Sequence, residues 1–419
     1  MKKVEKMYNE NHDKSEAVRR FVYLLSSQIT SDKIKKEEAY LLDCLPEEDT
    51  LADCLIKHKM APLVLKNIKD SRLEGKVNGK VYDLIKDLAY RLAAKNIMSI
   101  ERFRSIASSL KNTGIDFIPL KGLSLCSRVY KDDGLRPMDD IDILIKEEDL
   151  QKTKDILFTC GLEPERTEYQ SVIHAALEAY SSKEWIESAG ERTDEVHFRD
   201  FNNGFMIDLH WNLMVIGSSR QFDMKKIWSR GVEGNVSGIP CRFLSPEDEL
   251  LHLIFHLIEK HLVKGNAGVR LIWFVDIVHF LTVFQDKLDW SYIEREIELF
   301  KPDKEFYRVI NFLYRNYHVF FPDKIISHKD SSMTEITPDD IMASFIESII
   351  ESMTSGQSKN DNTGGSHLFP QINELKGFQN KIKYIFYTLF PVPAYMRARY
   401  GSNRGFSLLK SYIKRLKLI

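Results

Sequence analysis

Two aspartates one residue apart, Asp140 and Asp142, are the residues of this sequence best placed to do chemistry. In a strand, positions i and i+2 point the same way, so both carboxylates face one side. Carboxylates held together repel, and one is driven to its protonated form unless a cation lies between them. Magnesium meets that need: it is a hard, oxygen-seeking cation, usually held by one or two carboxylates plus substrate phosphates. A third carboxylate, Asp208, stands in the apolar run Phe205-Met206-Ile207-Asp208-Leu209-His210-Trp211. A lone aspartate in such a strand is costly unless it is paired or metal-bound. His210, two residues on, shares its face and could orient Asp208 or touch substrate; a structural hydrogen bond beside Trp211 is the plainer reading.

Upstream, Gly122 lies between a strand and a helix, where it lets the backbone approach a ligand closely. The first turn of that helix offers N–H groups to phosphate oxygens. Lys121 and Arg136, near the two ends of the segment Leu120 to Ile145, could neutralise a triphosphate. Taken alone, Asp139-Asp140-Ile141-Asp142 also fits solvated turn acids. The flanking Lys121-Gly122, Arg136 and the distant Asp208 together favour a site.

These residues need a scaffold. Apolar residues at three- and four-residue steps predict helices over much of 15–110, as in Val18, Phe21, Val22, Leu25 and in Val81, Leu84, Ile85, Leu88, Leu92. Thr30, Ser31 and Asp32 offer N-caps, and Pro46 and Pro62 punctuate the run. Gly114 stops a helix that ends near Lys111. Strand-length runs follow at Ile115 to Leu120 and Ile141 to Ile145, then helical spacing from Leu150 to Cys160. Val196–Phe198 and Phe205–Trp211 read as a hairpin around Asn202-Asn203-Gly204. Ser245-Pro246-Glu247-Asp248 places a cap, an N1 proline and first-turn acids ahead of an apolar helix, and another helix spans Val269 to Phe284. The fold class is α+β: a small mixed-sheet core flanked by N-terminal and C-terminal helical segments. The segments are a helical region 1–95, the core 96–240, a helical domain 241–353, a Gly/Ser/Asn-rich flexible loop 354–367 and a basic, aromatic helical tail 368–419.

The order Lys-Gly, then Arg-x-x-x-Asp-Ile-Asp, then Ile-Asp-Leu-His-Trp resembles the polymerase-β-type nucleotidyltransferase superfamily. More narrowly it resembles the bacterial uncharacterised nucleotidyltransferase family, over about residues 50–290. His252 to Asp276, with its repeated histidines and Arg270-Leu271-Ile272-Trp273, is similar to that family's helical part. The resemblance implies transfer of a nucleoside monophosphate from a nucleoside triphosphate, ATP among them, using two magnesium ions, or manganese. Asp140 and Asp142 match the paired metal ligands and Asp208 the third carboxylate. Gly122 matches the first glycine of the phosphate-binding turn, with Leu123 at the second place and Ser124 one residue later. The acceptor is an unidentified hydroxyl on a small molecule, a protein or an RNA. The alternative is a non-catalytic nucleotide sensor or adaptor that keeps the fold.

Composition adds exclusions. The chain has 419 residues, enough for two or three domains, and its 43% hydrophobic content can build a sizeable core. Sixty basic against 61 acidic side chains leave a net charge of −1, so any electrostatic partner must be met by a local patch. One such patch is the tail: from Asn380 to Ile419 there are nine Lys or Arg, no acid and several aromatics. A packed terminal helix, an RNA or nucleotide cradle and an amphipathic membrane contact all fit it. The apolar run Leu271 to Phe284 is broken by Asp276 and His279, so no transmembrane segment is expected. The N-terminus has no apolar signal region, and five scattered cysteines without a CxxC pair point to a reduced cytoplasm. His252 and His256, four apart, could bind zinc but read better as packed histidines. Arg270 and Asp276 read as a structural ion pair or a solvated helix face, with Arg270 a further candidate for phosphate. No serine-hydrolase triad and no GxxxxGK[ST] loop is present.

Overall fold

The computed structural model describes residues 48–164, 195–214, 221–262, 270–317 and 319–326. The predicted helix at 18–25 and its caps, the loop 354–367 and the basic tail lie outside the described residues. Helices α1 (Glu48–Lys57) and α2 (Ala61–Asp70) lead to the long α3 (Gly79–Asn112), which Asn78 caps by accepting from the Lys80 N–H. Its first half buries Val81, Ile85 and Leu88 in a large helical core. Its second half buries Ile100, Phe103, Ile106 and Leu110 in a second core beneath the sheet. One helix thus runs through residue 95 and ties the two cores together.

Strand β1 (Phe117–Pro119) leads to α4 (Lys121–Leu125), which widens into a π turn at Cys126–Tyr130. Then come β2 (Ile141–Ile145), α5 (Leu150–Thr159), β3 (Glu163–Pro164), β4 (Glu195–Arg199) and β5 (Met206–His210). The sheet order is β1-β2-β5-β4-β3, with β2 and β5 parallel and the other neighbours antiparallel. The expected turn between β4 and β5 is present. Gly204 sits in it with φ +74°, which costs a residue without Cβ nothing.

The chain continues through α6 (Met224–Arg230) and an antiparallel hairpin, β6 (Val232–Val236) with β7 (Ile239–Phe243), which the apolar pattern did not announce. Most of β6 is exposed, so its sequence carries no alternation to read. Helix α7 (Pro246–His256) starts as expected, with Ser245 Oγ accepting from the Asp248 N–H, and widens into a π turn at Leu257–Leu262. Helices α8 (Leu271–Phe284), α9 (Trp290–Phe300), α10 (Lys304–Tyr317) and α11 (Asp323–Ile326) complete the described chain. Helix α8 begins at Leu271, and Val269 lies outside the described residues. No described helix is long and apolar enough to cross a membrane. The architecture is α+β: a small mixed sheet between two cores, the larger one helical.

Candidate active site

The two faces of β2 differ. Ile141, Ile143 and Ile145 point into the core beneath the sheet, so Asp142 and Leu144 must point the other way, toward the helical core. Strand β5 repeats the pattern: Ile207 and Leu209 face down, and Asp208 and His210 face up. Because the two strands are parallel and in register, Asp142 sits opposite Asp208, and Leu144 opposite His210. On the other side of β5, His197 of β4 lies opposite Asp208 and Glu195 opposite His210. Asp140 immediately precedes the first residue of β2.

The structure thus brings Asp140, Asp142 and Asp208 to one cleft of about 410 Å³, within the usual range for small-molecule sites. The sheet forms one wall. The end of α7 and its π turn (Leu253, His256, Leu257, Lys260, His261), with Ile272 and Trp273 of α8, form the other.

Electrostatics here are those of crowded carboxylates. Burial, then Asp142 and Asp208, push Asp140 up to about 7. Burial also opposes the charge on Asp142, yet Lys121 and His210 hold it well below the usual carboxylate range. Both do so through one oxygen: Lys121 Nζ donates to Asp142 Oδ1 at 2.6 Å, and His210 Nε2 lies 2.9 Å from the same atom. His210 therefore positions Asp142, not Asp208 as the shared-face reading had it, because the ring reaches across to the neighbouring strand. Its Nδ1 is 3.4 Å from Glu195 Oε2, and Lys260 Nζ donates to Glu195 Oε1 at 2.9 Å. Despite burial, His210 and Lys260 hold Glu195 down at about 2. Asp208 keeps His197 charged, raising it to about 9.

Two observations bear on a metal. One donor atom from each of Asp142, Asp208 and His210 lies within 4.8 Å of the others. Asp208 Oδ1 is buried, and its ion-pair partner, His197 Nδ1, lies 2.7 Å away. Buried carboxylates crowded in this way are suited to a cation. Among the described residues, His252 and His256 join no such cluster. Burial pushes His252 down to about 3, in keeping with a packed, neutral ring.

The residues expected at the phosphates separate. Lys121 lines the cleft, with φ +47° in its backbone, an uncommon conformation for a side chain with a Cβ. Gly122 lines it too, and a Cβ there would stand 2.5 Å from Met138 Cγ and 2.7 Å from Arg136 Nη1, so glycine is needed for this contact. Ser124 is fully buried and is not among the cleft-lining residues; Leu123 packs into the core beneath the sheet. Arg136 reaches the cleft, but its guanidinium is held by Asp276. Nε lies 3.2 Å from both carboxylate oxygens and Nη2 donates to Oδ2 at 2.6 Å. Tyr130 Oη donates to Asp276 Oδ1 at 2.8 Å and closes the pair. Arg270 pairs instead with Asp139.

Sequence reasoning did not find Glu195, His197, Lys59, Asp139 or Lys260 as members of the site. Glu195 and His197 alternate on β4, and the hairpin around Asn202-Asn203-Gly204 sets them opposite His210 and Asp208; the local pattern gives the pairing but not that these side chains join the cleft.

The sequence model of a family described as "uncharacterised nucleotidyltransferase" matches residues 46–314. No curated protein and no solved structure gives a match. The matched span takes in the sheet, the three aspartates and the helical wall of the cleft, well over half of the chain, and the protein belongs to the uncharacterised nucleotidyltransferase family.

Proposed function

We propose that this protein is a metal-dependent nucleotidyltransferase of the polymerase-β type, moving a nucleoside monophosphate from a nucleoside triphosphate to a hydroxyl with release of pyrophosphate. The observation that supports this most is the register pair Asp142–Asp208, joined by Asp140 in a cleft that also holds Lys121. Asp140, Asp142 and Asp208 would hold magnesium or manganese. Such ions supply Lewis-acid polarisation of the α-phosphate and a lowered pKa for the acceptor hydroxyl. In the transfer, a bond forms from the acceptor oxygen to the α-phosphorus while the bond to the β-phosphate's bridging oxygen breaks in line. Asp208 receives the hydroxyl proton, and charged His197, 2.7 Å from its Oδ1, holds that carboxylate in place. Lys121 Nζ moves from Asp142 to the leaving pyrophosphate, where its charge is worth most in a site shielded from water. His210 keeps Asp142 oriented. The acceptor is a hydroxyl on a small molecule, a protein side chain or an RNA end, the last reached through the basic tail.

The test is pyrophosphate release from each nucleoside triphosphate with magnesium or manganese. The wild-type protein releases it, and Asp140→Asn or Asp208→Asn lowers the rate on the order of 10³-fold with the fold retained. Equal turnover in the variants removes the metal argument. A second reading is a nucleotide sensor, favoured by one detail: Lys121 and His210 already occupy Asp142 Oδ1. Nucleotide binding without pyrophosphate release, for every acceptor class tried, decides for the sensor.

A further inference from the structure

If the cleft takes a triphosphate, the residues gripping it must be sought afresh. Ser124 is buried outside the cleft lining, Leu123 faces the core, and Arg136 is committed to Asp276. Lys121 sits on Asp142 and Lys260 on Glu195. On the sheet side of the cleft, then, each of these cations is already held by a carboxylate, and Asp140 and Asp208 add further negative charge. Asp139 differs. It holds two cleft-lining cations at once: Lys59 Nζ donates to Oδ1 at 2.6 Å and Arg270 Nη1 donates to Oδ2 at 2.6 Å. Lys95 Nζ stands 3.9 Å from Oδ1. This is the end of the cleft where positive charge exceeds negative.

Three regions of the chain meet there. Lys59 lies in the turn between α1 and α2 with φ +59°, a conformation that aims its side chain at a backbone cost. Arg270 is the residue before α8, with an extended backbone. That end of α8 is fixed to the same turn, because the Leu271 N–H donates to His58 Nδ1 at 2.9 Å. Asp139 immediately precedes Asp140. The side chains of Arg270 and Asp139 are about one-third exposed (35% and 34%), so the pair is open to the cleft and to solvent. Two cations forking onto the two oxygens of one carboxylate present the spacing that a phosphate's oxygens would accept.

We propose that Lys59 and Arg270 form a polyphosphate-binding subsite for the β- and γ-phosphates of the nucleoside triphosphate, and that Asp139 is an internal counter-ion which the ligand's phosphate displaces. The subsite rests on the nucleotidyltransferase reading for the identity of its ligand, but its charge logic does not depend on turnover. Lys59 and Arg270 swing from Asp139 to phosphate oxygens while Asp139 turns to solvent. Binding at this end leaves the α-phosphate directed toward Asp140, Asp142 and Asp208.

The experiment measures binding of inorganic tripolyphosphate to the full chain by calorimetry in metal-free buffer, beside a separate pyrophosphate-release assay with metal and nucleoside triphosphate. Lys59→Gln and Arg270→Gln each raise the Kd for tripolyphosphate about tenfold, the loss of one charge-assisted contact. Arg270→Lys retains most of the affinity. Asp139→Asn acts in the opposite direction and lowers the Kd several-fold, since it removes the competitor; a purely structural aspartate would not do this. Thermal melting confirms that each variant is folded. Wild-type affinity in folded Lys59→Gln and Arg270→Gln, weaker binding in Asp139→Asn, or no tripolyphosphate binding by the wild type overturns the subsite. Pyrophosphate release with unchanged tripolyphosphate binding in the variants removes the subsite alone. The expected binding pattern without release upholds the subsite and removes the transfer reading alone.

Discussion

Two arginine–aspartate pairs border the cleft, and they are built for opposite ends. Arg136 and Asp276 are 9% and 2% exposed, forked together and sealed by Tyr130. Arg270 and Asp139 are 35% and 34% exposed, and Asp139 is shared with Lys59. Chemistry and distance are nearly the same, 2.6 Å at the closest approach in both. Burial separates them. A buried pair cannot be opened without stranding a charge, whereas a pair one-third exposed can exchange its partner for water or a ligand. A cation at a site's edge is therefore available in proportion to how cheaply it can leave its counter-ion.

The sharpest way to break this comparison is to remove one partner of each pair. Asp276→Asn strands the Arg136 guanidinium and should cost about 3–5 kcal/mol of stability. Chemical denaturation measures it, and a cost below 1 kcal/mol would show that the pair is not the lock its burial implies.

Acid should loosen the cation end of the cleft first. His58 is fully buried, accepts the Leu271 N–H, and is pushed down to about 3 by burial and by Lys57 and Arg270. The unfolded chain takes up this proton near pH 6.5, whereas the folded chain resists it until about pH 3. Stability contributed here is thus complete above pH 6.5 and lost as pH falls toward 3. His252, also pushed down to about 3, adds in the same direction. Denaturation midpoints at pH 7 and pH 5 should differ accordingly, and His58→Gln should flatten the dependence. A dependence unchanged in that variant would exclude His58 as the source.

The smallest effect is expected at the open pair. Arg270→Gln should change stability by no more than about 1 kcal/mol, the range of exposed ion pairs, even as it weakens polyphosphate binding. A loss comparable to that of Asp276→Asn would erase the distinction between the two pairs.

Much of the site was legible in the sequence. The Asp-x-Asp spacing, the apolar flanks of Asp208 and the Asn-Asn-Gly turn each depend on neighbours in the chain, and each reappears in the fold. A cation near two aspartates reads as a phosphate contact, but Arg136 is claimed by a residue 140 positions away. Sharing a strand places His210 with Asp208, yet its ring binds Asp142 across the sheet. The β6–β7 hairpin escaped because its outward residues carry no apolar rhythm.

By itself the sequence determined what local periodicity and local chemistry can encode: strands β1, β2, β4 and β5, the helix start at Ser245, and which side chains share a face. Only the tertiary structure decided which charges meet. Pairing between Arg136 and Asp276, or between Lys59, Arg270 and Asp139, depends on helices far apart in the chain closing over one sheet. Burial, which sets whether such a pair is fixed or exchangeable, is a property of that closure and of no single segment.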